Sequence, residues 1–355
     1  MSKGRRNKNH FQRAKPKKVI TPPPVKSLLD IMEDGREFES LIKVKAADID
    51  IIGELRKGLK EISDIRGRET VCYLSNVVNP MIRASKSIDY SDDLPFSELL
   101  SSVPDDVKEL DIILVTPGGS GTQTSKFVDR LRPRFENVAF ILPNIAMSAG
   151  TIFVMSGDEI IMDSRAYIGP IDPQVRNKDG MFVPAQSILT LINEIQGRGD
   201  ELIKKGQNPQ WTDLQIMRQI DPKEIGNAVN ASKYSIEMVE NYLYNFKFKT
   251  WTHHSTDGSE VTDGQKRKRA KEIAELLCDH SQWKSHGRGI PREAAWDVCK
   301  LRITHPESID GLERAIRRFW AIVYWAFENS TLFKVFLSQN YCIVRSENIK
   351  INNDK

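Results

Sequence analysis

The sequence predicts an α/β protein with a mostly parallel sheet, flanking helices and a helical C-terminal addition. Short apolar segments alternate with amphipathic segments between about residues 68 and 175, which is the pattern of βαβ units. Two of the apolar segments, IILV at 112–115 and VAFIL at 138–142, are continuously apolar. Strands that are covered on both faces have this composition, so we expect helices on both sides of the sheet.

The elements follow in a regular order. Strands are predicted at TVCYLSNVV (70–78), LDIILV, NVAFILPNIA, EIIMD and AYIGPI, with helices at PFSELLSSVP, TSKFVDRLRPRF and SAGTIFVMSG between them. Further helices are predicted in 185–245, at KRKRAKEIAELLCD and PREAAWDVCKL, and over 313–339. We divide the chain into a basic arm (1–26), N-terminal helices (27–66), the α/β core (67–250) and a helical extension (251–355).

Composition limits the class of protein. Of 355 residues, 39% are hydrophobic and 28% are charged, which allows one large domain or two modest ones. The four cysteines are scattered without a CxxC pair, which suits a reducing compartment. No apolar run approaches the ~20 residues that a membrane span needs. We therefore expect a cytoplasmic protein without a membrane span.

The net charge of +4 arises from the N-terminal end of the given sequence, because residues 1–18 are rich in Lys and Arg and contain no Asp or Glu. Residues 1–26 are basic and Pro-rich, as in disordered arms. Such an arm attracts phosphate without sequence selectivity, so residues 1–18 are a candidate contact with nucleic acid or an acidic surface. A solvated tail explains the same composition.

A Gly-Gly turn follows the second predicted strand, in TPGGSG at 116–121. Glycines at this place let backbone N–H groups point into the crevice at the carboxyl end of a parallel sheet. The turn lacks the lysine of a phosphate-binding loop, so nucleotide binding is disfavoured and no cofactor is expected.

Ser148 lies in AMSAGT, just before an apolar helix. A serine there can cap the helix or act as a nucleophile, since unpaired N–H groups stabilise an oxyanion. The Gly-Gly turn and Ser148 each follow a buried strand, about thirty residues apart. Backbone N–H groups of Gly119 and Ala149 are therefore a candidate oxyanion hole beside the Ser148 hydroxyl.

These motifs resemble the Clp-protease/crotonase superfold. VTPGGSGTQTSKFVDRL is similar to the strand, turn and helix of ClpP-type peptidases. NIAMSAGTIFVMSGDEIIMDSRAYIGPIDPQ resembles one branch more closely, the serine dehydrogenase proteinase family, which is related to signal peptide peptidase A. The family motif is AMSGGT-like, and Ala149 stands here in place of its first glycine. The resemblance covers about residues 68–195, with a weaker part at 250–300.

The resemblance implies an ATP-independent serine peptidase. Ser148 would form an acyl-enzyme, with an oxyanion hole from Gly118, Gly119 and Ala149. ClpP-type enzymes carry their His where this chain has Gly169, and no His follows Ser148 before residue 253, so a ClpP-ordered triad is excluded.

The family's Ser, Asp, His order implies Asp172 of GPIDPQ and His286 of WKSHGRGIP as the other triad members. His254 and His280 are alternative bases, and Lys178 would serve in a Ser/Lys dyad. Each candidate has a structural explanation too: Asp172 as a turn former and His286 as a loop residue that bonds the backbone.

Other functions remain open. A crotonase-type acyl-CoA enzyme would use the same oxyanion hole without Ser148, and a chain without a base would be a binding or scaffold module that contacts nucleic acid through its basic arm. The His and Cys spacing fits no standard zinc site, so no metal is expected. Peptide or unfolded protein is the expected substrate. The family analogy implies a homo-oligomer, with surfaces expected at 185–245 and 313–339.

Overall fold

A computed structural model describes residues 27–177, 180–254 and 256–347. The basic arm and Lys178 lie outside these residues. The helices are α1 Leu28–Ile31, α2 Glu37–Leu41, α3 Ile51–Arg66, α4 Asp93–Ser101, α5 Gly121–Leu131, α6 Ala149–Val154, α7 Ala185–Lys204, α8 Trp211–Gln219, α9 Pro222–Tyr242, α10 Asp263–Cys278, α11 His280–Trp283, α12 Arg292–Asp297 and α13 Leu312–Glu328. The strands are β1 Glu69–Ser75, β2 Glu109–Val115, β3 Asn137–Leu142, β4 Ile145–Ala146, β5 Glu159–Met162, β6 Tyr167–Ile168, β7 Gln174–Arg176, β8 Phe182–Pro184, β9 Leu332–Leu337 and β10 Cys342–Ser346.

The central sheet has six strands in the order β10-β9-β1-β2-β3-β5. Strands β1, β2, β3 and β5 are parallel, and β9 and β10 are added antiparallel at the β1 edge. The prediction of a mostly parallel sheet with flanking helices is confirmed.

Both faces of the sheet are buried. On β2, Ile112 and Leu114 pack into a core formed with α4, α5, α6, α9 and α10. Their neighbours Ile113 and Val115 point to the opposite core, formed with α1–α3 and α13. All four side chains are fully buried. Because successive strand residues face opposite sides, two covered faces require the continuous apolar run that the sequence contains.

The ends of helix α3, which covers one face of the sheet, are set by capping residues in the local sequence. The Asp50 side chain accepts the Gly53 amide at 3.0 Å and caps the first turn. Gly67 ends the helix in the left-handed conformation, at φ 63°. Leu55 and Leu59 form part of its buried stripe, and this stripe packs against α13 in the core on that face of the sheet. The divisions of the chain at residues 26, 66 and 250 stay predictions.

One prediction about secondary structure is wrong, and one hairpin was not predicted. The helix expected over 313–339 ends at Glu328, and β9 follows it as part of the central sheet. Asn76 stabilises the change of direction, because its side-chain amide donates to the carbonyls of Phe327 and Leu332 at 3.2 and 2.7 Å. Strands β7 and β8 form a hairpin for which no strand was predicted.

Helix α13 uses its apolar face within the chain. Eleven of its residues are buried against the chain's own helices and sheet. Its amphipathic pattern is therefore explained by the core, and the oligomer surface expected at 313–339 stays a prediction. Helices α7 and α8 do leave large apolar side chains exposed, namely Leu191, Ile203, Trp211, Leu214 and Ile216.

Candidate active site

Ser148 lies between β4 and α6, with its backbone at φ 52° and ψ −117°. A positive φ strains a residue that carries a Cβ, at a cost of about 1–3 kcal/mol. Thr151 holds the junction, since its Oγ1 donates to the Ala146 carbonyl at 2.8 Å and accepts the Gly169 amide at 2.9 Å. Ser148 takes the N-cap position, yet its side chain makes no capping hydrogen bond. The hydroxyl therefore does not cap the helix.

The Gly-Gly turn lies directly against Ser148. Gly118 and Gly119 have φ values of 99° and 143°, which only glycine adopts without strain. A Cβ on Gly118 would lie 2.6 Å from the Met147 carbonyl oxygen, 2.8 Å from Ser148 Cβ and 3.3 Å from the Ala149 amide nitrogen. Glycine is thus required by conformation and by space.

The backbone amides predicted to form the oxyanion hole differ in whether they already have a hydrogen-bond acceptor. The Gly118 amide donates to Thr116 Oγ1 at 3.1 Å. Within the described part of the chain, the amides of Gly119 and Ala149 have no acceptor. These two N–H groups are therefore free to bind a ligand oxygen.

Ile88, which the sequence interpretation missed, flanks the turn. Its amide donates to Gly118 O at 2.7 Å, and its carbonyl accepts the Ser120 amide at 2.8 Å. A Cβ on Gly119 would lie 2.3 Å from Ile88 O. No local motif marks Ile88, because the contact depends on how the chain passes the end of β2.

Strand pairing carries the segment of Asp172 toward Ser148. Strands β4 and β6 are parallel, with Ala146 opposite Ile168. The chain that continues from β4 reaches Ser148 two residues later, and the chain that continues from β6 reaches Asp172 four residues later. Both segments therefore leave the same end of this small sheet.

Asp172 is fully buried and binds two histidines. Its Oδ1 accepts a hydrogen bond from Nδ1 of His286 at 2.9 Å, and its Oδ2 accepts one from Nδ1 of His280 at 3.1 Å. A carboxylate can only accept, so in these bonds each ring carries its hydrogen on Nδ1. In this tautomer Nε2 of each ring carries a lone pair, and a general base needs such a lone pair to accept a proton.

His254 lies apart from this group. Its ring contacts Trp251 edge-on at 5.4 Å between centroids, and its amide donates to Ser259 O at 2.9 Å. The structure brings Asp172, His280 and His286 together and leaves His254 outside. No hydrogen bond joins Ser148 Oγ to any described residue.

Gly169 stands where the resemblance puts the ClpP-type His. A Cβ on Gly169 would meet Met147 Cε at 2.7 Å and Met147 Cα at 3.2 Å. A side chain at this position would therefore require Met147 to shift, and the bases that remain come from a later part of the chain.

Cys278 is a second nucleophilic side chain, and its thiol lies within the electrostatic influence of Asp172. Burial, followed by the charge of Asp172, raises the pKa of its thiol to about 12. The thiolate is therefore almost absent at neutral pH, so Cys278 does not compete with Ser148.

Two further tests concern metals and membranes. Among the described residues, no group of three or more His, Cys, Asp or Glu side chains is placed to hold a metal ion. No helix within residues 27–177, 180–254 and 256–347 is long and apolar enough to cross a membrane.

Comparisons with known proteins agree with this architecture. Residues 31–203 match the family model described as ClpP-like SDH-type serine proteinase, which confirms the resemblance to the serine dehydrogenase proteinase family. An uncharacterized protein of Methanocaldococcus jannaschii is 28% identical over 206 residues, which are 56% of this chain and 63% of that protein. A second from the same organism is 26% identical over 213 residues, 60% of this chain and 59% of that protein. The chain thus spans about three-fifths of the length of these relatives.

Among the solved structures to which the chain has some similarity is a mutant of the 1510-N membrane-bound stomatin-specific protease. It is 15% identical in sequence, with a TM-score of 0.34, and covers 61% of this chain and 74% of that chain.

Proposed function

We propose that this protein, whose residues 31–203 match the ClpP-like SDH-type serine proteinases, hydrolyses peptide bonds with Ser148 as the nucleophile. The observation that carries the proposal is the strained Ser148 beside the Gly118–Gly119 turn. A strained turn that exposes a hydroxyl next to free backbone amides is the arrangement that acyl transfer uses.

The chemistry follows from the groups present. Ser148 Oγ attacks the substrate carbonyl, and its proton passes to Nε2 of His286. The carbonyl oxygen becomes an oxyanion that accepts hydrogen bonds from the Gly119 and Ala149 amides. His286 then gives the proton to the leaving amine, and an acyl-enzyme remains. Water, deprotonated by the same imidazole, hydrolyses the ester and releases Ser148.

We assign the oxyanion hole to Gly119 and Ala149, with Gly118 as the residue that brings them together. The Gly118 amide is occupied by Thr116 Oγ1, whereas the other two have no acceptor in the described chain. One such donor contributes about 3 kcal/mol to transition-state stabilisation.

We assign the base to His286, oriented by Asp172. Its hydrogen bond to Asp172 is the shorter of the two, at 2.9 Å against 3.1 Å for His280. His286 also lies in a loop between α11 and α12, whereas His280 begins α11. A loop residue can approach Ser148 Oγ when substrate binds, and catalytic hydrogen bonds often form only in that complex.

The substrate and assembly belong to the proposal as well. The sequence contains no phosphate-binding loop with its lysine, so cleavage is proposed to be independent of ATP, with peptides or unfolded protein as substrate. A homo-oligomer is proposed through the exposed apolar side chains of α7 and α8. The predicted role of residues 1–18 in binding nucleic acid stays a prediction.

Turnover of wild-type protein and Ser148→Ala tests the proposal, with an unfolded protein substrate and a panel of acyl-CoA thioesters. We expect wild type to cleave the protein substrate and Ser148→Ala to lose this activity. Equal thioester turnover by both proteins would instead support a crotonase-type enzyme. No turnover of either substrate class by wild type, together with salt-sensitive nucleic-acid binding, would support a binding module.

A further inference from the structure

Lys334 is a fully buried lysine in the middle of β9. Its ammonium group donates to both carboxylate oxygens of Asp92, at 2.8 and 2.7 Å, and to the carbonyl of Ser87 at 2.7 Å. All three ammonium hydrogens are thus used. A buried charge is expensive unless it is paired and hydrogen-bonded, so the contacts of Lys334 with Asp92 and Ser87 are what allow it to lie inside the protein.

Asp92 is the centre of a wider network. Its side chain also accepts hydrogen bonds from the Tyr73 hydroxyl at 3.0 Å and from the Asp89 amide at 3.0 Å. Arg345 of β10 donates to it at 3.3 Å. The segment of residues 87–92 is therefore tied to the sheet through one buried carboxylate, and Lys334 supplies the buried charge opposite it.

The same segment holds the Gly-Gly turn. Ile88, next to Ser87, donates to Gly118 O at 2.7 Å and accepts the Ser120 amide at 2.8 Å. These two hydrogen bonds lie on either side of Gly119. A continuous set of contacts thus leads from Lys334 through residues 87–92 to the turn.

We propose that Lys334 is a positioning residue for the oxyanion hole, and that the C-terminal strand β9 thereby completes the active site. The inference rests on the proposed function of Gly119 as an oxyanion donor. Lys334 does not touch the substrate. It fixes Ile88, and Ile88 fixes the direction of the Gly119 N–H. A donor must lie at hydrogen-bond distance from the oxyanion, so a small displacement of the turn weakens transition-state stabilisation.

The test compares Lys334→Met with a matched control, Arg66→Met. Arg66 also pairs with a fully buried carboxylate, Asp111 at 2.6 Å, but near the amino end of β2 and away from the turn. Both variants remove a cation from a fully buried carboxylate, and only Lys334 is linked to Gly119. A general loss of stability should therefore affect both alike.

Two readouts are needed. Hydrogen–deuterium exchange over residues 85–92 and 118–121 reports whether the segment and the turn stay joined. Peptide turnover gives kcat and KM. We expect Lys334→Met to increase exchange in both segments and to lower kcat about tenfold to a hundredfold, with KM within about threefold of wild type. Arg66→Met should leave kcat and the exchange of both segments unchanged.

Unchanged exchange at the two segments, or an unchanged kcat in Lys334→Met, would overturn the inference. An equal loss of kcat in Arg66→Met would overturn it too, since the effect would then be one of stability. If Lys334→Met does not fold, Asp92→Asn, which has nearly the same shape, decides by the same readouts. If wild type cleaves no peptide, the proposed function fails, and the exchange data alone decide whether Lys334 holds the turn.

Discussion

Asp172 accepts a hydrogen bond from Nδ1 of His286 at 2.9 Å while its carboxylate is fully buried. The other carboxylate oxygen binds His280 at 3.1 Å. One acid therefore orients two imidazoles, and only one of them, His286, is proposed to transfer the proton. This distinction can be tested by substitution, because each ring can be removed separately.

His286→Ala should lower kcat by about 10²–10⁴-fold, the range for loss of a general base. His280→Ala should lower it by less than about tenfold, since that ring only shares the carboxylate. Steady-state peptide hydrolysis by the two purified variants measures the difference. A larger loss in His280→Ala than in His286→Ala would reverse the assignment of the base.

Asp172→Asn should lower kcat by about 10³–10⁴-fold, because an amide no longer holds the base in the tautomer with a free Nε2. Asp163→Asn is the control: Asp163 is also fully buried, but it binds Arg165 at the end of β5. The control should retain kcat, as measured below the melting temperature of both variants. Equal losses of kcat would mean that Asp172 is only structural.

Gly118→Ala should abolish most activity, since its Cβ would lie 2.8 Å from Ser148 Cβ and 2.6 Å from the Met147 carbonyl oxygen. Gly35→Ala is the control for backbone strain without a clash. Gly35 also has a positive φ, 79°, but a Cβ there would have no atom within 4 Å. Gly35→Ala should cost about 1 kcal/mol of stability and leave kcat intact. Urea unfolding and kcat are measured on both. Full activity of Gly118→Ala would contradict the close approach.

Lys247 makes stability depend on pH. Burial lowers the pKa of its ammonium group to about 8, from 10.5. The folded protein then binds this proton more weakly than the unfolded chain, so the free energy of unfolding rises with pH between about 8 and 10.5. Between pH 7 and pH 9.5, wild type should gain about 1–2 kcal/mol relative to Lys247→Met in urea unfolding.

A control for the loss of one positive charge is Lys249→Met, two residues away, where the ammonium group pairs with Asp158 at 2.6 Å. This variant should keep the wild-type rise in stability with pH. The prediction fails if Lys247→Met and wild type show the same pH dependence.

The fold was largely predictable because its signals are local. The continuous apolar runs of β2 and β3 and the turn glycines lie within short windows of sequence. The segment of β9 was misassigned because its apolar residues continue the pattern of α13 and no proline separates them. Its strand state depends on pairing with β1, as in the Cys72–Leu337 pair, and no local window contains that information.

The candidate site was likewise predictable from sequence only where its signals are local. Ser148 and the Gly118–Gly119 turn carry local motifs. Asp172 and His286 lie 114 residues apart, so only the resemblance pointed to them. Lys334 could not be found from sequence at all, because its partner Asp92 lies 242 residues away. A lysine among apolar strand residues would ordinarily be placed at a solvent-exposed edge.

The proposed function depends above all on Ser148 as the nucleophile. Treatment of wild type with a fluorophosphonate probe, followed by peptide mapping in a mass spectrometer, tests it most directly. We expect a single phosphonyl adduct on Ser148, formed more slowly in His286→Ala and absent from Ser148→Ala. An adduct on another residue, or none on wild type under conditions in which a known serine peptidase is fully labelled, would contradict it.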